Sequence, residues 1–219
     1  VYRAKGRGEF MYRPTGTGEC LVCFKSVLNG LSLIEIILRD DVLCGNCRKQ
    51  LVLLNRKYNV NGYEVHAYYR YNKVFEKWMY QYKENKDETL GKCFMFNLKR
   101  QFEWEYRGYI LVLVPSSIEK TQERGFHALA KLFESIHLEK RDCFIKDNIK
   151  QSQLNRSERF EIKESIHLKD ESIKQCPKIV LVDDVCTTGS SLKACYDLIK
   201  TESNVVKICV IGLNEAWIV

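Results

Sequence analysis

Two clusters in the 219-residue sequence have residue types and spacing that can do chemistry. The first is Cys20-Leu-Val-Cys23 with Cys44-Gly-Asn-Cys47, two CxxC pairs separated by 20 residues. Four thiolates so spaced can close a tetrahedral Zn²⁺ site that leaves no open coordination position, which makes it structural. Two metal-free cysteine pairs are one alternative; an iron–sulfur cluster is another, although its usual spacings are tighter. Gly45 is expected to supply the short turn that the second knuckle requires. The second cluster is KIVLVDDVCTTGSS, residues 178–191, where Asp183 and Asp184 precede Thr187, Thr188, Gly189, Ser190 and Ser191. Hydroxyls and successive backbone N–H groups at a helix start suit a phosphate monoester, and Gly189 lets its oxygens come close. Two carboxylates beside such a nest repel a bare polyphosphate. They are better assigned to sugar hydroxyls and to Mg²⁺, which prefers oxygen ligands. The plainer alternative is a capping cluster, in which one Thr or Ser caps the helix and the aspartates solvate a strand end.

The elements that must position these residues follow from pattern. Residues 109–115 (YILVLVP) and 178–184 are short apolar runs of the kind buried on both faces of a parallel sheet. Residues 205–214 read as a third strand, and SLKACYDLIKT as the helix between the last two. Alternation of this kind predicts an α/β fold with parallel strands flanked by helices, whose ligands bind beyond the carboxyl ends of the strands. YEVHAYYRY (63–71) reads as a strand or hairpin arm. After it, Val74, Phe75, Trp78, Met79 and Tyr82 follow helical spacing and are expected to face the core. GFHALAKLFESIHL reads as a helix, and the charged stretch 148–172 as loop with short helix. The composition shift near YNVNG predicts three parts: a flexible extension over 1–19, a zinc module over 20–60 and the main domain over 61–219.

VLVDDVCTTGSS resembles the 5-phosphoribosyl 1-diphosphate (PRPP) signature of type I phosphoribosyltransferases. The resemblance implies Asp183 and Asp184 on the ribose hydroxyls, with Thr187, Thr188, Gly189, Ser190 and Ser191 around the 5-phosphate. A neutral Thr187, where enzymes acting on 6-oxopurines usually carry an acid, speaks against that substrate class. VLVPSSIEKTQERGFH (112–127) narrows the likeness to the ComF competence family, whose RGFNQ element resembles Arg124-Gly125-Phe126-His127. Val114, Pro115, Ser116 and Ser117 then form the pyrophosphate loop, and Arg124 contacts phosphate through its planar guanidinium. Gln153, Leu154 and Arg159 are similar to a further family segment, and the CxxC pairs are similar to the family's N-terminal zinc segment. The chain departs from the pattern at Leu113-Val114-Pro115, at His127-Ala128, and in a basic run thinned to Glu119-Lys120.

The resemblance implies a PRPP- and Mg²⁺-binding accessory protein of natural transformation that assists entry of single-stranded DNA. Its partner would be a DNA translocase, and it would act in the cytoplasm or, through partners, at the inner face of the membrane. A metabolic phosphoribosyltransferase, with Asp183, Asp184 and Arg124 as its catalytic groups, and a PRPP sensor without turnover are the other readings. All three need the same donor site. A formal charge of +7 favours anionic partners, with phosphates and nucleic acid both allowed. No apolar run reaches the roughly 18 residues of a membrane span, and the default compartment is the cytoplasm. Cysteine pairs in a reducing compartment favour metal over disulfides, and the other six of the ten cysteines read as scattered thiols. Residues 1–10 read as an extension with no role in the fold. The four histidines show no ligand-like pairing and read as surface or packing residues.

Overall fold

A computed structural model describes residues 18–38, 41–146 and 166–218. The chain forms two compact units, Val1–Lys49 and Gln50–Val219. Residues 1–17 of the extension expected over 1–19, the segment with Gln153, Leu154 and Arg159, and most of the 148–172 stretch lie outside the described residues, whereas Glu19 bridges Ser26 and belongs to the small unit.

The small unit holds two short helices, α1 (Leu33–Leu38) and α2 (Gly45–Arg48), and an isolated bridge between Glu19 and Ser26. Apart from cysteines, its buried apolar residues are Val27, Val42 and Leu43 among the described residues.

The large unit begins with strands β1 (Leu53–Val60) and β2 (Tyr63–Tyr71), then α3 (Lys73–Lys83). A 3₁₀ turn over Glu88–Gly91 leads to α4 (Lys92–Met95) and α5 (Lys99–Glu105). Next come β3 (Ile110–Leu113), α6 (Ile118–Arg124), α7 (Ala128–Leu132) and β4 (Lys140–Arg141). Strands β5 (Phe144–Lys146) and β6 (Ile166–Leu168) pair with each other and, among the described residues, with no other strand. The chain finishes with β7 (Lys178–Cys186), α8 (Ser190–Ile199) and β8 (Val205–Asn214).

The main sheet runs β1-β2-β8-β7-β3-β4 among the described residues, parallel throughout except for the antiparallel β1 at its edge. β7 and β8 lie inside it, so the unbroken apolar runs Ile179 to Val182 and Ile208 to Ile211 are buried on both faces. On α3 the predicted stripe holds: Phe75, Trp78, Met79 and Tyr82 are buried and Val74 is half-buried. The Asn72 side chain caps that helix by accepting from the Phe75 N–H at 2.8 Å.

YNVNG is not a joint between units. Asn61 and Gly62 both have positive φ, 51° and 87°, and form the tight turn of the β1–β2 hairpin. Two successive left-handed residues match a type I′ turn, whose twist suits the flanking strands. β1 therefore belongs to the sheet, and the division between units falls between Lys49 and Gln50. The expected helix over GFHALAKLFESIHL is helical only at Ala128–Leu132, while the preceding segment forms α6, which ends on Gly125 at φ 83°. That left-handed glycine stops one helix and forces a new one to start, capped by His127 Nδ1 accepting from the Ala130 N–H at 3.2 Å.

Candidate functional site

In the small unit the Sγ atoms of Cys20, Cys23, Cys44 and Cys47 all lie within 4.8 Å of one another. Cys23 and Cys44 sulfurs are 3.7 Å apart, near the roughly 3.8 Å edge of a tetrahedron with Zn–S bonds of about 2.3 Å. The first knuckle turns through Phe24, at φ 59°, whose N–H bonds the Cys20 carbonyl at 2.9 Å. Gly45 acts differently from its expected turn role. It has no positive φ; a Cβ there would collide with the Gly30 carbonyl oxygen, and its N–H bonds the Asn29 carbonyl at 2.9 Å.

Asp41 stiffens the approach to the second knuckle. It accepts from the Val42 and Leu43 N–H groups at 2.7 and 3.1 Å and from Arg48 Nε at 2.8 Å. Burial pushes the Cys20 thiol up, but N–H groups of Cys44, Cys23 and Val22 outweigh it and bring the thiol down to about 7. Burial holds Cys44 and Cys47 above the usual thiol value. Four thiolates at this spacing repel one another, and a dication relieves the repulsion. The donor set fits a structural Zn²⁺, whose four positions the cysteines would fill.

In the large unit, β3 and β7 are neighbours whose connections leave in opposite directions. β3 leads through α6 and α7 to β4 on one side, and β7 leads through α8 to β8 on the other. A crevice opens at the carboxyl ends of strands at such a reversal, and open α/β sheets bind their ligands there. The residues singled out in sequence flank this reversal. Val114, Pro115, Ser116 and Ser117 follow β3, and β7 outruns β3, so that Asp183 and Asp184 stand just past the last β3–β7 pair, Leu113 with Val182.

The loop from β7 to α8 is pinned from behind. Asn61 Nδ2 donates to the Thr188 carbonyl at 2.8 Å, and Trp217 Nε1 donates to the Thr187 carbonyl at 2.7 Å. Gly189 has φ 75°, and a Cβ there would come within 2.8 Å of Val60 Cγ1. The N-cap of α8 is Gly189, which has no side chain to offer, so capping by a hydroxyl is left to a long contact from Thr188, one position earlier. Among the hydroxyls only Thr188 reaches back, accepting from the Ser190 N–H at 3.4 Å and meeting the Ser190 hydroxyl at 3.1 Å. The Ser191 and Leu192 N–H groups precede the first helical bond, Lys193 N–H to the Gly189 carbonyl. On the opposite wall the Ser117 hydroxyl is spent on capping α6, accepting from the Lys120 N–H at 3.3 Å.

The charged groups are tied to the end of α3. Lys83 Nζ lies 2.5 Å from Asp184 Oδ2, and Glu84 Oε1 lies 2.7 Å from Arg124 Nη2. Arg124 Nε is buried and has no hydrogen-bond partner among the described residues. Burial first, and then the charge of Asp184, push Asp183 from its ordinary 3.8 up to about 7, against the pull of Lys83 and the Asp184 N–H. The unfolded chain releases this proton near 3.8 and the folded chain near 7, so stability falls as pH rises between them and stays reduced above. Asp183→Asn, which keeps the oxygen that accepts from the Asp184 N–H at 2.8 Å, is expected to raise Tm over the parent at pH 8. The gain at pH 8 corresponds to roughly 2–4 kcal/mol and shrinks toward pH 5. Thermal melts at both pH values check this; an equal gain at each contradicts it.

A cavity of ≈ 270 Å³ lies at the other end of the sheet, at the starts of β2 and β8. Among its lining residues Lys57 pairs with Glu64 at 2.8 Å, His66 meets Tyr106 Oη at 3.0 Å, and Lys207 Nζ lies over the Tyr106 ring, 5.7 Å from its centroid. Burial keeps His66 below its ordinary value despite Glu105, as befits a packed, neutral histidine. At the strand reversal, by contrast, the buried Arg124 Nε has no hydrogen-bond partner among the described residues.

The fold and site define an α/β protein with a mostly parallel sheet, a four-cysteine group able to hold zinc, and two adjacent carboxylates at the strand reversal. No family model matches the chain, and no curated protein matches it. No helix among the described residues is long and apolar enough to cross a membrane.

Proposed function

We propose that the large unit binds PRPP with Mg²⁺ in the crevice between β3 and β7, as a type I phosphoribosyltransferase-like protein of the ComF kind. The observation that carries this reading is what meets at the strand reversal: two adjacent carboxylates, a helix start without a side-chain cap, and an arginine whose buried Nε is unsatisfied. Asp183 and Asp184 take the ribose hydroxyls and the Mg²⁺. The Thr187 to Ser191 loop takes the 5-phosphate with its N–H groups and hydroxyls. Backbone groups of the Val114 to Ser117 loop and the guanidinium of Arg124 take the diphosphate. Hard carboxylate oxygens are the donors Mg²⁺ prefers, and the ion would neutralise diphosphate charge.

The cellular role that goes with this reading is assistance to uptake of single-stranded DNA beside a translocase, supported by the net charge of +7. PRPP with Mg²⁺ is expected to raise Tm, as any ligand of the folded state does. An unchanged melt at saturating PRPP and Mg²⁺ contradicts the reading. Pyrophosphate release across nucleobases, nucleotides and single-stranded DNA then separates an enzyme from a sensor.

A further inference from the structure

The pyrophosphate side of the site is poor in cations along its own loop, where Glu119 and Lys120 are both exposed on α6. The missing charge comes from elsewhere. Lys83 and Glu84 are consecutive at the end of α3, and each holds a charged group on a different wall of the crevice: Lys83 holds Asp184 and Glu84 holds Arg124. The Lys83 and Asp184 side chains are only 17% and 14% exposed, so this is no floppy surface pair. Moving an ammonium so far out of water is unfavourable unless an anion meets it.

The backbone beneath Lys83 is fixed. Tyr82, wholly buried, donates its hydroxyl to the Ala128 carbonyl at 2.6 Å and packs edge-on against Phe126, with ring centroids 5.5 Å apart. A Cβ on Gly91 would come within 2.7 Å of the Tyr82 ring, so that contact has no slack. Exchange of partners at Lys83 and Glu84 therefore requires side-chain rotation alone.

We infer that Lys83 is an anion-binding residue of the crevice and that Lys83 and Glu84 form an exchange pair guarding it, an inference that rests on the PRPP reading. Without ligand, the ammonium of Lys83 occupies the Asp184 carboxylate and the carboxylate of Glu84 occupies Arg124. A divalent cation takes Asp184 and displaces Lys83, which turns to the ligand's phosphate oxygens, and the same anion draws Arg124 from Glu84. Metal and diphosphate thus bind together, because each removes the partner that obstructs the other.

The test uses calorimetry on the full chain with two probes, Mg²⁺ alone and inorganic pyrophosphate with Mg²⁺. Lys83→Met is expected to bind Mg²⁺ alone about tenfold more tightly, since the competing ammonium is gone, yet to bind Mg²⁺-pyrophosphate about tenfold more weakly. A merely structural lysine weakens both or changes neither, and either result overturns the proposal. Glu84→Gln, at a side chain open to solvent, is expected to strengthen pyrophosphate binding several-fold and leave Mg²⁺ alone unchanged. Should Lys83→Met fail to fold, this second variant decides, and unaltered pyrophosphate affinity overturns the exchange. Binding of Mg²⁺ and pyrophosphate but not PRPP by the parent protein, with the opposite shifts intact, sinks the PRPP reading and leaves the exchange pair standing.

Discussion

Cys44→Ser is expected to release zinc and unfold the small unit while the large unit melts as before. The reason is the scarcity, among the described residues, of anything else to hold that unit together. Val27, Val42 and Leu43 are its buried non-cysteine apolar residues among those described, whereas Phe24, Leu33 and Ile34 are 74%, 80% and 69% exposed. Three such side chains bury too little apolar surface to offset the ordering of the unit. Metal–thiolate bonds make up the difference, as in other small metal-dependent modules. Zinc per chain is expected to fall from near one to well below one half, and proteolysis to cut within the first 49 residues. Full zinc content and an intact small unit in the variant contradict the assignment of Cys44 as a ligand.

Asp184→Asn is expected to remove most of the Mg²⁺ dependence of PRPP binding. Asparagine retains the shape and one oxygen but loses the charge that attracts the cation, a loss of about 1.5–3 kcal/mol or roughly tenfold to a hundredfold in affinity. The substitution also leaves Lys83 without its anion, so some stability is lost with it, and a melting curve must accompany the titration. The freed ammonium offers the diphosphate a cation, which partly restores affinity when Mg²⁺ is absent. The expected signature is therefore a flattened response to Mg²⁺. A Mg²⁺ response equal to that of the parent protein contradicts the role given to Asp184.

Much of this was legible in the sequence because it rests on local pattern. The CxxC pairs, the apolar runs that became β3, β7 and β8, and the α3 stripe all fold as their spacing says. β1 was hidden because LLNRKYNV is polar and only partly buried, as an edge strand can be, and its Leu53 to Arg56 stretch carries a register shift with Asn55 at φ 48°. Asn61-Gly62 was a readable hairpin signal that composition alone disguised as a linker. Lys83 and Glu84 were not legible at all. Helical periodicity describes the face α3 buries and says nothing of what its last residues meet across the crevice, which only the tertiary fold decides.

The most direct measurement is a calorimetric titration of PRPP into the zinc-loaded protein, with and without Mg²⁺. Binding of one PRPP per chain that strengthens when Mg²⁺ is added is the result expected. Absence of binding at millimolar PRPP with Mg²⁺ present, in protein shown to be folded, would contradict the central claim.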